Sequence, residues 1–430
     1  MVFGIGYTDR FITEAQVSEV IRRGLDEAKL EGRRVLAIIP DGTRTMPMPL
    51  VFRLLTERLL GSAAALDFLV ALGTHQPMPD EALNRLLGIT AGERAGKYAG
   101  VKILNHAWDD PAALRTVGVI APDAVREITN GLMSEAVPVS INKLVFDYDV
   151  LLITGPVFPH EVVGFSGGNK YLFPGVAGPD IIHFFHWLGA VNTNLAINGT
   201  KYTPTRKVVE KAAELVGMPT LCCALVTKHD KSQPGEVGVH AVYFGTPQEA
   251  WSAAADVAAR THIRYLDRAY SRVLGIAPRM YDDLWTAGKV MYKLEPILAD
   301  GADLVIYAPH ISEVSYTHGA ILERIGYHTR DYFLKQMHLF TGVPGGIMAH
   351  STHVKGIGTF ENGVERPRVN VILATGISEE RCRRINLGYL DPRNVRMSEW
   401  ENREQEGMLV VPNAGETLYR LRSAAPPGAA

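Results

Sequence analysis

The stretch VLAIIPDGTR, residues 35–44, indicates which kind of fold the chain adopts. Its first five residues are apolar, which is typical of a strand buried on both faces of a sheet, and the polar turn PDGTR ends it. Two further runs repeat the arrangement, because DFLVALG (67–73) ends at THQP and DVLLITG (149–155) ends at PVFPH. Short apolar runs that alternate with helices predict a mostly parallel sheet that is covered on both faces.

Helical patterns lie between these runs. Thr13 and Gln16 have the spacing of a capping box, which predicts a helix that starts there and stops near Gly32. The segments 49–60 and 203–217 show apolar residues at helical spacing and predict two more helices.

Strand and helix patterns begin again beyond residue 265. We therefore predict an α/β fold with two α/β domains, each with a mainly parallel sheet flanked by helices, and an active site in the cleft between them. The N-terminal domain is predicted to comprise residues 1–265 plus 407–430, and the C-terminal domain residues 266–406.

Net charge and cysteine content exclude several classes of function. The chain has 430 residues and a formal net charge of −2, so no electrostatic attraction to nucleic acid or to an anionic membrane is expected. The N-terminus lacks a basic region followed by an apolar one, and no apolar run is long enough to span a bilayer. Cys222, Cys223 and Cys382 form no CxxC pattern, which argues against iron–sulfur and cysteine-rich zinc sites. We expect a cytoplasmic protein that binds neither nucleic acid nor membrane.

Charged and imidazole side chains follow three of the predicted strands. Asp41 and Arg44 follow the first, His75 the second and His160 the third. In open α/β sheets the ligand crevice lies at the carboxyl ends of the strands, so these side chains are expected to converge. Arginine holds a carboxylate bidentately, and histidine, which titrates near neutral pH, serves as a general acid or base. The alternative is that Arg44 pairs with Asp41 and that each histidine merely packs in its loop.

Three glycines precede Lys170 in GFSGGNKY, residues 164–171. A Walker A loop needs four residues between its glycines, then Lys and Ser or Thr directly after the second glycine, and Asn169 and Tyr171 break this pattern. The glycines still permit a backbone nest that binds some other phosphate. The alternative is a tight surface turn with a solvated lysine.

Several further histidines have a spacing that suits a metal. His183 and His186 stand three apart on a predicted helix, and an HxxH pair on one face is a candidate zinc site. His350 and His353 repeat the spacing in a predicted loop, and His106 follows the run VKILN. An ordinary packing histidine is the alternative in each case, and the roles of His106, His183, His350 and His353 stay open.

The segment 282–301 predicts a helix that places Trp285 and Lys289 on one face at i, i+4. Lys289 offers a second cation for a carboxylate. The alternative is that its stem lies along the core side of the helix and its amine reaches solvent.

Taken together, these motifs resemble the nickel-pincer lactate racemase family over nearly the whole chain. The likeness is densest in four segments, namely DGTR (41–44), GTHQP (73–77), PHEVVGFSGGNKYLFPGVAG (159–178) and the helix that contains His186. In that family a histidine precedes a lysine by ten residues and a second histidine follows the lysine by sixteen. Here this spacing selects His160, Lys170 and His186.

The resemblance implies a cofactor and a residue set that holds it. The cofactor is the nickel-pincer nucleotide, nickel pyridinium-3-thioamide-5-thiocarboxylic acid mononucleotide, which binds nickel through two sulfurs and a ring carbon. Lys170 would carry it covalently as the thioamide, and His186 would be the protein ligand to nickel. The further cofactor-binding residues would be Asp41, Ser166, Gly167 and Gly168.

The resemblance also implies catalytic and substrate-binding residues. The N-terminal domain would bind the cofactor and catalyse, and the C-terminal domain would contribute substrate contacts. His75 and His160 would be the acid/base pair on opposite faces of the substrate. The substrate-binding residues would be Arg44, Lys289, Trp285 and Thr286, with the two cations on the carboxylate.

The implied function is inversion of the α-carbon of a 2-hydroxy carboxylic acid by reversible hydride transfer. The α-hydrogen of such an acid is a very weak acid, because the neighbouring carboxylate already carries charge. Hydride transfer to the cofactor avoids a carbanion and gives a planar 2-oxo acid, to which hydride returns on the other face. The implied partners are the small-molecule acid and the cofactor-biosynthesis enzymes, without which heterologous protein would lack the cofactor.

The substrate side departs from the lactate racemase pattern. Asn169 stands where that enzyme has arginine, and Trp285-Thr286 stands where Tyr-Gln is expected. Together with HSTH (350–353), these differences put lactate itself in question and make a larger 2-hydroxy acid, such as a sugar acid, a candidate. Two alternatives remain, a zinc-dependent hydrolase that uses an HxxH site and a non-catalytic homologue that binds a hydroxy acid.

Overall fold

The apolar runs form strands and the capped segments form helices in the computed structural model, which describes residues 2–230 and 236–424. The strands are β1 (Phe3–Gly6), β2 (Arg34–Ile39), β3 (Ala65–Val70), β4 (Ile103–Asn105), β5 (Leu114–Ile120), β6 (Val137–Asn142), β7 (Val150–Pro156), β8 (Pro159–His160), β9 (Gly164–Phe165), β10 (Thr220–His229), β11 (Val237–Gly245), β12 (Ile263–Leu266), β13 (Tyr270–Ile276), β14 (Leu298–Ala308), β15 (Gly358–Glu361), β16 (Val364–Pro367), β17 (Asn370–Thr375), β18 (Gly388–Tyr389), β19 (Met408–Val411) and β20 (Leu418–Leu421). The helices are α1 (Glu14–Ala28), α2 (Met48–Leu59), α3 (Asp80–Leu87), α4 (Ala91–Ala95), α5 (Pro122–Ile128), α6 (Pro179–Asn192), α7 (Asn194–Ile197), α8 (Pro204–Glu214), α9 (Pro247–Thr261), α10 (Leu284–Ala287), α11 (Lys289–Leu294), α12 (Gly319–Ile325), α13 (Arg330–Leu334), α14 (Gly345–Lys355) and α15 (Glu379–Arg384).

The described residues form two units. Unit 1 consists of the chain up to Phe158, Phe165–Ile182 and Arg206–Thr261. Unit 2 consists of Pro159–Gly164, His183–Thr205 and the chain from His262 onward.

Unit 1 is built on a seven-stranded sheet of order β1-β11-β10-β7-β2-β3-β4. Neighbouring strands from β10 to β4 pair in parallel, and β11 and β1 add antiparallel pairs at one edge. Val35–Ile39 in β2 are buried throughout, as expected for a strand covered on both faces. Thr13 and Gln16 bond reciprocally at the start of α1, which confirms the predicted capping box.

Unit 2 contains a five-stranded sheet of order β18-β17-β14-β13-β19, in which all neighbouring strands are parallel. Its core includes Leu274, Val305 and Ala374 from three adjacent strands, packed with Trp400. The prediction of an α/β fold with mainly parallel sheets flanked by helices is therefore confirmed.

The division into units corrects the predicted domain limits. Unit 1 ends at Thr261, and Pro159–Gly164 and His183–Thr205, which were predicted to lie in the N-terminal domain, belong to unit 2. Residues 407–424 belong to unit 2 rather than to the N-terminal domain, because β19 pairs with β13 and β20 pairs with β12. These partners are distant in sequence, so local patterns could not assign them. Residues 425–430 of the predicted N-terminal domain lie outside the described residues.

Two local predictions are also corrected. His350–His353 lie within helix α14 and not in a loop. The predicted helix 282–301 is instead two short helices, α10 and α11, followed by β14 from Leu298. Proline cannot continue a helix and disfavours helical backbone in the residue before it, so Pro296 accounts for the end of the helical segment.

Among the described residues, no helix is both long enough and apolar enough to cross a membrane.

Candidate active site

The loops that carry Asp41, Arg44 and His75 leave the same edge of the unit 1 sheet. β2 lies between β7 and β3, and Ile38 is level with Ile153 on one side and with Leu69 on the other. Because all three strands are parallel, their carboxyl ends meet at this edge, where ligands bind in open α/β sheets.

Asp41 and His75 form a hydrogen-bonded pair at this edge. His75 Nδ1 lies 2.5 Å from Asp41 Oδ2, while the N–H and hydroxyl of Thr43 donate to Oδ1 at 3.0 and 2.7 Å. Burial raises the pKa of the Asp41 carboxyl, but His75, Arg44 and Thr43 outweigh burial and bring it well below its usual range. An ionised carboxylate only accepts hydrogen bonds, so Nδ1 of His75 donates and Nε2 carries the lone pair of a base.

Arg44 lies beside this pair. Its charge contributes to the low pKa of Asp41, and its guanidinium carbon is 5.8 Å from the centre of the Phe158 ring. It also lies near Tyr171, whose pKa is raised mainly by burial and is lowered somewhat by the Arg44 charge. Since Asp41 is bonded to His75 and Thr43, the guanidinium acts on that carboxylate through its charge.

Side chains of two helices bond to the backbone of residues 164–171, the glycine loop. Arg206 of α8 donates to the carbonyl oxygens of Phe165 and Gly167, and Trp251 Nε1 of α9 donates to the carbonyl of Ser166 at 2.9 Å. The Arg206 guanidinium also lies 4.1 Å from the Trp251 ring centre. Three successive carbonyl groups are therefore fixed, which stiffens the segment immediately before Lys170.

Backbone geometry explains the two glycines in this loop. Gly167 and Gly168 have φ values of +84° and +59°, in the left-handed region that other residues rarely adopt. A Cβ on Gly167 would stand 2.5 Å from Val157, and one on Gly168 would stand 2.8 Å from Trp251. The Ser166 hydroxyl donates to the Pro156 carbonyl and accepts from the Phe158 N–H, so it braces the same turn.

Lys170 lies in a short 3₁₀ turn, Gly168–Tyr171, and is half-buried. The segment that follows it contacts the His75 loop, because the Gly73 N–H donates to the Gly175 carbonyl at 2.9 Å. Unit 1 alone therefore brings the Asp41–His75 pair and the Lys170 segment together.

In unit 2, His160 is buried beside Glu161 and Lys293. The Val162 N–H donates to His160 Nδ1 at 3.1 Å, and Glu161 Oε2 lies 3.6 Å from the same nitrogen. A nitrogen that accepts a hydrogen bond carries no proton, so the neutral ring has its proton on Nε2. The tautomer of His160 is thus opposite to that of His75.

The His160 segment and the His186 helix contact each other within unit 2. Gly189 of α6 lies against Val162, where an added Cβ would stand 3.0 Å from the Val162 Cα. His183 and His186 both face the start of α14, since a Cβ on Gly346 would stand 2.9 Å from His183 Nδ1 and 3.8 Å from the His186 Cβ.

Trp285, Thr286 and Lys289 lie in α10 and α11 of the same unit. The Lys289 amine lies 4.6 Å from the centre of the Tyr281 ring. The Thr286 hydroxyl bonds to Asp283 at 2.6 Å, and Asp283 is the N-cap of α10. Thr286 therefore has a capping role whatever else it binds.

His350 of α14 is enclosed by aromatic side chains. Its ring centre is 4.2 Å from that of Trp285, and the hydroxyls of Tyr292 and Tyr327 reach its two ring nitrogens at 2.7 and 3.2 Å. Burial lowers the pKa of His350 well below its usual value, as do the nearby His353, His318 and His186. His350 is therefore neutral and held in place, and the Trp285 ring packs against it at a tilt of 30°.

His106, whose role the sequence left open, is a structural residue of unit 1. Its ring bonds to the Ala177 carbonyl at 2.9 Å and to the Asn142 amide at 3.1 Å. Burial lowers its pKa to about 4, so the ring is neutral.

Comparisons with known proteins indicate a family. Residues 8–198 match the model of the lactate racemase N-terminal domain. The lactate racemase of Lactiplantibacillus plantarum is 28% identical over 177 residues, which are 41% of this chain and 37% of that protein. That of Thermoanaerobacterium thermosaccharolyticum is 27% identical over 157 residues, 35% of this chain and 32% of that protein. Residues 8–198 of this chain are therefore similar to the lactate racemase family.

Two solved structures extend the comparison. A crystal structure of a protein from Thermotoga maritima has a TM-score of 0.89 and 31% identity, and the match covers 97% of this chain and 100% of that one. The lactate racemase apoprotein from T. thermosaccharolyticum has a TM-score of 0.67 and 18% identity over 94% of this chain and 93% of that chain, a likeness of fold alone.

In sequence, the match covers about a third of the length of the curated lactate racemases. The matched domain includes Asp41, His75, His160, Lys170 and His186. Trp285, Thr286 and Lys289 lie beyond it.

Sequence reasoning missed several residues of the candidate site. Trp251 falls on the apolar stripe of α9 with Ala254 and Ala255, so its burial could have been predicted but not its bond to the glycine loop. The sequence did not indicate a role for Arg206 or Lys293, because the pattern of a helix does not show whether an arginine or lysine in it is buried or exposed.

Proposed function

We propose that this protein is a racemase or epimerase that inverts the α-carbon of a 2-hydroxy carboxylic acid. The observation that carries the proposal is the 2.5 Å Asp41–His75 pair beside the Lys170 segment, in the part of the chain that matches the lactate racemase N-terminal domain. A histidine oriented by a buried carboxylate is suited to remove the proton of a substrate hydroxyl.

The residues fit a nickel-pincer nucleotide better than a protein-bound metal. The described residues contain no group of three or more His, Cys, Asp or Glu side chains arranged to hold a metal ion. A catalytic zinc site needs three protein ligands, so the HxxH hydrolase alternative lacks the donors it requires. A pincer supplies two sulfurs and a carbon itself and needs one protein ligand, for which His186 is our candidate.

The chain's own residues would hold this cofactor as follows. Lys170 would form the thioamide, from a backbone that Arg206 and Trp251 fix. The left-handed turn at Gly167 and Gly168 would lie against the nucleotide. When bound, the cofactor would supply an acceptor and donor of hydride for the substrate α-carbon.

The two histidines would move the hydroxyl proton. His75 begins with a lone pair on Nε2 and so takes the proton as the α-hydrogen leaves, giving a planar 2-oxo acid. His160, once a second proton from solvent makes its ring an imidazolium, would donate its Nε2 proton to the substrate oxygen on the opposite face and return to the neutral form. In the reverse direction the two histidines exchange roles, and the configuration at the α-carbon is inverted.

Arg44 and Lys289 would hold the substrate carboxylate. A guanidinium binds a carboxylate bidentately, which fixes the orientation of the α-carbon between the histidines. We propose that Trp285 and the imidazole of His350, against which it packs, form a wall that faces the remainder of the substrate. Such a wall suits a substrate larger than lactate, and sugar acids are one candidate class.

The proposal implies further expectations. The active site in the cleft between the two predicted domains stays a prediction, as do the cytoplasmic location and the dependence on cofactor-biosynthesis enzymes.

The test is turnover by protein produced together with cofactor-biosynthesis enzymes. Single enantiomers of lactate and of larger aliphatic, aromatic and sugar 2-hydroxy acids are incubated with it, and chiral chromatography follows the opposite configuration. We expect inversion of at least one acid and one nickel per lysine-linked cofactor. Loaded protein that binds these acids but inverts none would support the non-catalytic alternative, and stoichiometric zinc without a lysine adduct would support the hydrolase.

A further inference from the structure

The carboxylate of Glu161 lies between a catalytic candidate and a buried cation. Glu161 Oε2 is 3.6 Å from His160 Nδ1 and 3.7 Å from Lys293 Nζ. All three side chains are largely buried, with exposed fractions of 9% for His160, 12% for Glu161 and 3% for Lys293. Coulombic interactions are stronger in such surroundings than in water, so the position of this one oxygen matters.

Lys293 is held in place by a second contact. Its amine donates to the Pro159 carbonyl at 2.7 Å, directly before His160 in the chain. Lys293 is therefore tied to the backbone of the His160 segment on one side and to Glu161 on the other. This arrangement holds Glu161 within reach of the His160 ring.

A comparison with His75 shows what Glu161 can provide. A histidine that takes up and releases a proton at Nε2 has to keep a proton on Nδ1 throughout, and Asp41 accepts that proton from His75 at 2.5 Å. In His160 the Val162 N–H donates to Nδ1, so this nitrogen is unprotonated in the structure. When Nδ1 gains a proton from solvent, the Val162 N–H can no longer donate to it, and Glu161 Oε2 is an acceptor close by.

The other polar groups around Glu161 are compatible with this role. Tyr292 and His353 lie near the carboxylate, whose charge raises the pKa of both, although burial dominates both shifts. Burial raises the pKa of Tyr292 well above its usual value and lowers that of His353 to about 4, so both are neutral at pH 7. Lys293, 3.7 Å from Glu161 Oε2, is thus a charged group that competes with His160 for this carboxylate.

We propose that Glu161 is a positioning residue that accepts the Nδ1 proton of His160 during turnover, and that Lys293 fixes Glu161 for this task. Each acid/base histidine then has its own carboxylate, Asp41 for His75 and Glu161 for His160. The proton exchanged with the substrate oxygen passes through Nε2, and in this proton transfer only O–H and N–H bonds form or break. The inference rests on the proposed function, because it gives His160 the acid/base role.

The first test needs no cofactor. NMR of protein labelled in the histidine rings follows the His160 signals, assigned with His160→Gln, as the pH is changed. We expect Glu161→Gln to move the midpoint of the His160 titration to lower pH by about one unit, since the imidazolium loses a nearby negative charge. Lys293→Met is expected to move it in the opposite direction, which also covers the case in which Glu161→Gln does not fold. An unchanged midpoint in every variant that folds would overturn the proposal.

A matched control exists in the same unit. Glu365 Oε2 lies 2.8 Å from His328 Nδ1, and both side chains are partly buried. Glu365→Gln is expected to change the titration of His328 and to leave that of His160 and the racemisation rate unchanged. A shift of the His160 midpoint in this variant would show that the midpoint responds to a general loss of structure in unit 2 and not only to the removal of a neighbouring carboxylate.

The second test uses loaded enzyme. We expect Glu161→Gln to lower kcat by about 10- to 100-fold with little change in KM, and Glu161→Asp to restore part of the rate. Its pH–rate profile is expected to shift in the same direction as the NMR midpoint. An NMR shift without turnover in any variant or in wild type would count against the proposed function alone. Normal turnover of Glu161→Gln with an unshifted midpoint would count against the role of Glu161 alone.

Discussion

Replacing Asp41 with asparagine tests the proposed base directly, because it removes a charge with little change in size. The carboxylate now accepts from His75 through Oδ2 and from Thr43 through Oδ1. An asparagine has one oxygen and one amide nitrogen. If the asparagine oxygen still accepts from Thr43, the amide nitrogen donates to His75 Nδ1. The ring proton then lies on Nε2, the nitrogen that has to be unprotonated to act as the base.

The expected loss follows from this change of tautomer. General base catalysis contributes about 10²–10⁴ in rate, so kcat of Asp41→Asn should fall by that order while KM changes little. The fold should also lose about 1.5–3 kcal/mol at pH 7, the usual contribution of a hydrogen bond to a charged group. A carboxyl whose pKa is lowered in the folded state stabilises the fold above about pH 4, and this advantage of the wild type is lost as the pH falls further.

The assay is racemisation by loaded enzyme, with urea unfolding at several pH values as the measure of stability. Asp67→Asn is the matched control, because Asp67 is also buried in unit 1 and accepts bonds from the Tyr148 hydroxyl and the Lys102 N–H at 2.7 Å. The control should lose stability and keep its kcat once it is folded. Retention of most of the wild-type kcat by Asp41→Asn, at full occupancy with cofactor, would refute the assignment of His75 as a carboxylate-oriented base.

Three further predictions concern the tether, the histidines and the loop. Lys170→Ala should abolish the mass adduct that intact-protein mass spectrometry detects in loaded wild type, and an adduct that persists would exclude Lys170 as its carrier. His75→Ala and His160→Ala should each lower the racemisation rate about 10²–10⁴-fold, and wild-type turnover by either would remove that residue from the acid/base pair. Arg206→Met should lower the free energy of unfolding by about 2–3 kcal/mol, since charge-assisted bonds to two buried carbonyls are lost, and should reduce the adduct yield. An Arg206→Met protein of normal stability in urea would show that the loop does not depend on this cation.

Much of the unit 1 sheet could be predicted because each strand is a short apolar run that can be recognised from its own residues. The run Val35–Ile39 is apolar at every position, and the turn after it ends at Arg44. Parallel strands have their carboxyl ends at one edge, so the convergence of the Asp41 and His75 loops followed from topology. The pairing of Asp41 with His75 did not follow, because side-chain contacts between loops depend on backbone detail that periodicity does not encode.

The limits of unit 2 and the Glu161–Lys293 contact could not be predicted, because they depend on contacts between segments that are distant in sequence. β19 is a short strand near the end of the chain, and only its pairing with β13 reveals that it belongs to unit 2. Glu161 and Lys293 are far apart in sequence and appear as two ordinary charged residues until the fold places them 3.7 Å apart. Likewise, the residue spacing in HSTH (350–353) does not distinguish a loop from a helix. The segment is helical as part of α14, which is buried along most of its length.

The bonds from Arg206 and Trp251 to the glycine loop have a consequence for how relatives of this protein should be compared. The carbonyl groups just before Lys170 are bonded by Arg206 and Trp251, two helix residues that lie outside the motif itself. A homologue can keep SGGNK intact and still present its lysine differently if either helix residue is replaced. We therefore expect a cation and an indole at these two helix positions, together with the motif, to mark the relatives that hold this loop in the same way.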